Sequence, residues 1–249
     1  MALDRTERAA AGVDGCRAGW LCAAIDDAGD CSFVLERSFR RLISALGEAS
    51  LVLVDMPIGL PLPGQSGREC DALARSAIAP RGSTVFAPPG RAALAAPTYE
   101  SACRANQQEH GRKISLQSWN IAPKIDEVDR FLRGDAVRPP IREMHPELAF
   151  WALNGREALR TRKKSPAGVE ARLTVLSRHF PPARASYERC LAATARRDVA
   201  RDDIIDALVG AVTARRAPAL ESFPALPPRD AFGLPMEIVF ADPDVALGG

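Results

Sequence analysis

Histidine, lysine and paired cysteine are scarce in this chain, and each scarcity removes a class of chemistry. Three histidines (His110, His145, His179) in 249 residues, with no HxH or HxxxH spacing, leave no basis for a histidine-rich zinc or iron site. Cys16, Cys22, Cys31, Cys70, Cys103 and Cys190 include no CxxC pair, which excludes a zinc knuckle and a thioredoxin-like motif; they read as scattered buried or free thiols. The phosphate-loop patterns GxxxxGK[ST] and GxGxxG are absent. No apolar run approaches the ~18 residues of a membrane span, and MALDRTERAAAG has no apolar stretch ahead of a cleavage site. A soluble cytoplasmic protein with no membrane partner is expected. Only four of the 33 cationic residues are lysine (Lys113, Lys124, Lys163, Lys164), and 31 acidic residues leave a net charge of +2. That balance excludes a protein that coats nucleic acid by bulk charge, though not a local basic patch.

What is present is enough apolar material, 47%, to bury the core of one domain spanning residues 1–249. Residues 11–16, 20–26 and 32–37 read as three short strands, the last two joined by the turn signal DAGD, so the chain opens with an antiparallel trio. Helical spacing over 38–48 and the apolar run LVLV at 51–54 predict a helix feeding a strand covered on both faces. Helices are expected over 68–77, capped by Ser66, and over 98–109, 121–133, 147–154, 167–178, 186–196 and 203–215; strands are expected at 141–144 and 236–240. The result is an α/β class with a mixed sheet, antiparallel first and then parallel. Residues 56–140 exceed any simple connection and predict a helical insertion that caps the sheet.

In such a sheet the ligand site lies beyond the carboxyl ends of the strands where their order reverses. Asp14 in GVDGCRAGW and Asp55 after LVLV end two expected strands. Each alone is explained by a turn; both at one sheet edge would repel unless a proton or a cation is shared. Magnesium or manganese, hard ions that take carboxylate oxygens, are the expected cofactors. IREMHPELAF adds Glu143, His145 and Glu147, the last at a helix start where the dipole favours an anion. In RDDIIDALVGAVTARR the apolar face of Ile204, Ile205, Leu208, Val209 and Val212 carries Asp206 at its margin and Asp202 close by, whereas Asp203 projects away. Capping accounts for one of Asp202 and Asp203 but not for Asp206, a full turn inside.

The ordered blocks GVDGCRAGW, VDMPIGLP, RECDALARSAIAPRGSTVFAPPGR, IAPKIDEVDRFLRG, REMHPELAFWALNG, KKSPAGVEARL and DDIIDALVGAVTA resemble those of the domain of unknown function 429 family, from about residue 12 to 215. That family is grouped with the ribonuclease H-like fold and its members are regarded as predicted nucleases. The resemblance implies a ribonuclease H-like sheet whose acidic residues come from the first strand, the later parallel strand and the C-terminal helix, the places of Asp14, Asp55 and Asp206. The DxxDAL pattern from Asp203 to Leu208 is similar to the closing helix of RuvC-type resolvases, which supplies two metal-binding aspartates.

The expected activity is hydrolysis of nucleic-acid phosphodiesters by a two-metal mechanism. Asp14 would be the shared ligand, Asp55 and Asp206 would complete one ion each, and Glu147 would be the fourth carboxylate, with Asp203 as a further metal ligand. Arg68, Arg81, Lys124, Lys163, Lys164 and Arg172 would hold the phosphate backbone, against the alternative of a solvated surface. Trp20, Trp119 and Trp151 would stack on bases or serve the core. A non-catalytic ribonuclease H-like scaffold and, less favoured, an actin-like phosphotransferase are the competing classes; a homodimer is compatible with the sequence.

Overall fold

The computed structural model describes residues 9–47, 49–134 and 137–242. These residues divide into two compact units: one takes the chain up to Asp55, Val137–Glu221 and the residues from Val239, and the other takes the stretch from Met56 to Ala136 with Ser222–Ile238.

The first unit begins with β1 (Ala10–Cys16), β2 (Gly19–Ile25) and β3 (Cys31–Glu36), followed by α1 (Phe39–Leu46) and β4 (Leu51–Val54). The second unit supplies α2 (Glu69–Ala77), α3 (Arg91–Leu94), α4 (Tyr99–His110) and α5 (Leu116–Leu132). The chain then returns with β5 (Ile141–Glu143), α6 (Pro146–Leu153), α7 (Pro166–His179), α8 (Ala183–Ala193) and α9 (Arg201–Ala214), and closes with β6 (Leu220–Phe223) and β7 (Ile238–Ala241), which form a separate two-stranded sheet. The main sheet has the order β3-β2-β1-β4-β5, antiparallel among β1, β2 and β3 and parallel from β1 through β4 to β5. A mixed α/β sheet with an antiparallel opening is therefore what the chain forms.

Local chemistry explains the elements. Ser38 caps α1 by accepting from the Arg41 N–H, and Phe39, Leu42, Ile43 and Leu46 are its buried positions, as the helical spacing predicts. The last position of that expected helix, residue 48, lies outside the described residues. Trp20 packs edge-on against Phe39 with ring centroids 5.1 Å apart, and Trp151 packs on Phe240 at 5.7 Å. Both indoles are buried. They serve the core.

Helix α9 lies directly on β1. A Cβ at Gly12 would come within 2.2 Å of the Ala207 carbonyl oxygen and the Ala211 nitrogen, and one at Gly210 within 2.8 Å of the Gly12 Cα. Two glycines thus let helix and strand approach backbone to backbone. Around that contact Leu21, Ala23, Leu53, Met144, Leu208, Val209 and Val212 form part of one apolar core.

Two expectations about boundaries are corrected. Ser66 does not cap α2; Arg68 is the residue before its first turn, and it makes no side-chain cap. Helix α5 begins at Leu116, earlier than residue 121, because Ser115 accepts from the Ser118 N–H, and Pro123 is carried inside the helix. In the second unit, the MPIGLP exit turns at Gly59, whose φ of +71° is open to glycine. A Cβ there would also meet the Pro235 carbonyl at 2.7 Å.

Candidate active site

Strand register brings the first two carboxylates together. Gly12 pairs with Leu53 and Val13 with Val54 across the parallel β1–β4 contact, so Asp14 and Asp55 leave neighbouring strands at the same carboxyl edge. The Asp55 N–H donates to the Val13 carbonyl at 2.9 Å, which extends the ladder by one more residue. Side chains alternate along a strand, so Asp14 shares the face of Gly12 and Asp55 the face of Leu53. That is the face on which α9 packs. Asp206 immediately precedes Ala207, whose carbonyl abuts Gly12, and so joins them from the helix.

Burial, then Asp55, Asp206 and Asp203, hold the Asp14 carboxyl well above the usual range. Burial and Asp206 push Asp55 up to about 8, against the pull of Lys163. Asp206 is raised by burial, partly offset by Lys163. Asp14 and Asp206 are buried and Asp55 is half-buried. Burial is the largest cause of all three shifts, and neighbouring carboxylates add to it.

Lys163 is the cation in this cluster. Its Nζ donates to Asp206 Oδ2 at 2.8 Å and lies 3.5 Å from Asp202 Oδ2. Burial pulls its ammonium down, but Asp206, Asp14 and Asp55 raise it above the ordinary lysine range, so it stays charged. Asp206 Oδ1 is buried with no hydrogen-bond partner among the described residues. Sequence reasoning had set Lys163 against a phosphate backbone; forty-three positions separate it from Asp206, and no local pattern links them.

Other expected site residues are committed elsewhere. Asp203 Oδ2 accepts from the Ala200 N–H at 2.8 Å and so completes the first turn of α9, while its charge still raises Asp14. Glu147, in the first turn of α6, is buried and pairs with Arg172 at 2.5 Å. The expectation that Arg172 holds substrate is corrected: it is buried, its other donors go to the Thr161 and Gly168 carbonyls, and its guanidinium lies 5.5 Å from the Phe150 ring. Arg68 is likewise corrected. It is a buried partner of Asp71 at 2.6 Å that also donates to the carbonyls of Ile58 and Gly59. Lys164 is exposed, 3.8 Å from Asp202. Arg81 starts a short 3-10 turn and Lys124 lies on α5, both in the second unit. Glu143 ends β5 opposite Val54 and is buried; His145 is the residue before α6 and makes no cap hydrogen bond to it. Trp119 packs against the small apolar cluster of Ala93, Ala102, Cys103 and Ile114 in the second unit.

Carboxylates are the donors that a hard divalent cation takes. Asp206 Oδ1 is an oxygen ready to accept it. Among the described residues no three His, Cys, Asp or Glu side chains are already gathered to hold a metal ion. Side-chain rotation at the three aspartates would have to accompany binding.

All six cysteines are free, as their spacing suggested, and no helix of the described residues is long and apolar enough to cross a membrane. Among curated proteins and solved structures none matches this chain. A family model does, over residues 12–231, which takes in Asp14, Asp55, Lys163 and Asp206 together. The chain therefore belongs to the family described as protein of unknown function DUF429.

Proposed function

We propose that the protein is a magnesium- or manganese-dependent phosphodiesterase acting on nucleic acid, with a ribonuclease H-like fold. The observation that carries this reading is the placement of Asp14 and Asp55 at the carboxyl edge of adjacent parallel strands, with α9 bringing Asp206 against the same face. The order β3-β2-β1-β4-β5, with acidic residues from the first strand, the next parallel strand and the last long helix, supports the fold assignment. Asp14, Asp55 and Asp206 would hold the cation, whose chemistry is to acidify a bound water and polarise a phosphoryl oxygen. The chain's own contribution is positional. The Gly12–Gly210 contact fixes Asp206 against Asp14, and the β1–β4 register fixes Asp55 beside it. Glu147 is held by Arg172, and its charge also raises Asp55 and Asp206. Lys164, exposed beside this edge, is the candidate contact for a phosphate backbone.

A screen of DNA, RNA and branched junctions with each cation tests the reading. Cleavage that requires magnesium or manganese and is lost in Asp14→Asn and in Asp206→Asn supports it; cleavage unchanged in both variants identifies a contaminant and contradicts it. One observation favours a second reading, a non-catalytic scaffold: Lys163 already pairs with Asp206. Absence of both cleavage and manganese binding would favour that alternative.

A further inference from the structure

We infer that β3 is a docking edge for a second copy of this chain, and that two copies join their main sheets by antiparallel pairing of β3 with β3 about a two-fold axis at Val34. The inference does not rest on the proposed activity. It starts from the two ends of the sheet order, which differ.

Beyond β5 the ladder is continued, since Met144 bridges Val239 in parallel. At the other end β3 is the last strand. The Asp26 N–H donates to the Asp30 carbonyl at 3.1 Å, and that sets the phase of the β2–β3 hairpin. Ser32, Val34 and Glu36 therefore turn their N–H and C=O groups toward β2, and Cys31, Phe33 and Leu35 turn theirs outward. Arg189 of α8 agrees with this phase by donating to the Cys31 carbonyl at 3.3 Å. Among the described residues nothing pairs with the outward backbone groups of Phe33 and Leu35.

An edge of this kind is usually blunted by proline, lysine, a bulge or a charge within the strand. The β3 sequence CSFVLE has no proline or lysine, and its ladder to β2 runs without a bulge from Trp20–Glu36 to Ile25–Cys31. Its one charge, Glu36, stands at the end and is paired with Arg41 at 3.2 Å. Leu35 is 40% exposed. Nothing in the strand repels another strand.

The strand is also complementary to itself. Hydrogen-bonded pairs must join outward residues of both copies, which permits few two-fold registers. With Val34 opposite Val34, each Phe33 pairs with Leu35 of the other copy, an apolar pair that brings four backbone hydrogen bonds in all. Ser32 then faces Glu36, and Arg37 comes opposite Cys31, next to the exposed Asp30. The register one step away, with Phe33 opposite Phe33, sets Asp30 against Glu36 and needs the Cys31 carbonyl that Arg189 already holds. Charge therefore selects the Val34 register.

The test is sedimentation velocity of the full chain at micromolar concentration for wild type, Leu35→Pro and Leu35→Lys, with circular dichroism and melting curves to confirm folding. Proline at position 35 removes an outward N–H and spares the ladder to β2. Twice the chain mass in wild type and the single mass in the folded variants are expected. Register is read by oxidative cross-linking with copper phenanthroline: Val34→Cys should form a disulfide-linked dimer, because facing residues at a non-hydrogen-bonded pair have Cα atoms ~4.5 Å apart, and Ser32→Cys should not. A monomeric or open-ended wild type, a dimer that persists in both folded Leu35 variants, or a dimer in which Val34→Cys does not cross-link overturns the inference, and none of these bears on the cleavage reading.

Discussion

Each unit contains a cluster of buried aspartates, and the two clusters are solved in opposite ways. In the second unit Asp230 accepts from Arg91 at 2.5 Å and from the N–H groups of Leu60, Phe232 and Leu234. Asp129 pairs with Arg91 and Arg133, and Asp71 with Arg68. Burial pulls Asp230 up, but these donors win and hold its carboxyl below the usual range. In the first unit Asp14, Asp55 and Asp206 have each other and one lysine, and all three are raised. Satisfied carboxylates hold a fold together; carboxylates left short of charge are kept for something that arrives later.

If that contrast is right, removing a carboxylate should be costly in one unit and nearly free, or favourable, in the other. The largest effect is expected for Asp230→Ala, which takes from Arg91 one of its two carboxylate partners and leaves without an acceptor three backbone N–H groups that tie residues 60 and 232–234 together. Loss of about 3–5 kcal/mol in urea unfolding is expected, and a loss under ~1 kcal/mol would show that this ion pair is ornamental.

Next is Asp206→Asn, where the expected loss is in activity: metal-dependent cleavage should fall by about 10²–10³-fold while the melting temperature stays level or rises. A fall in stability comparable with that of Asp230→Ala would place Asp206 among the structural aspartates.

The third effect is in pH dependence, and the two clusters have opposite signs. Asp55 keeps its proton in the folded protein up to about 8, whereas the unfolded carboxyl loses it near ~3.9. The folded state binds the extra proton, so its contribution is fully present below the unfolded pKa and is lost as pH rises through about 8. Asp230, lowered, contributes above the unfolded pKa and loses that contribution as pH falls through its folded value. In metal-free protein Asp55→Asn should flatten the decline between pH about 4 and about 8, read from denaturation midpoints across the range; a parallel curve would contradict the shift.

The smallest effect belongs to a charge pair in water. Arg104→Ala breaks the exposed pair with Glu100 on α4 and should cost only about 0.3–0.5 kcal/mol, which calibrates the comparison.

Much of this was legible in the sequence because it rests on short-range periodicity. The run LVLV, the apolar spacing of α1 and the wheel of α9 put Asp55 just past β4 and Asp206 within α9, where the structure has them, since strand parity and helical phase need only neighbours. Helix α3 and strand β6 were missed because RAAL and LESF, four residues each, carry no period. Residues 222–238 join the second unit through Asp230, whose partners Arg91 and Leu60 lie far away in sequence. The Lys163–Asp206 and Arg172–Glu147 pairs are distant in the same sense, and both lysine and arginine read equally well as surface cations before folding. Arg68 and Asp71, three apart, are a pair within local reach.

The central claim, that the charge left open by Asp14, Asp55 and Asp206 is kept for a divalent cation, is tested most directly by anomalous diffraction from a crystal grown with manganese. A single strong peak bounded by oxygens of these three residues, with Lys163 still beside Asp206, is the predicted result; a crystal with no peak at that edge, at manganese concentrations that support any cleavage observed, would contradict it.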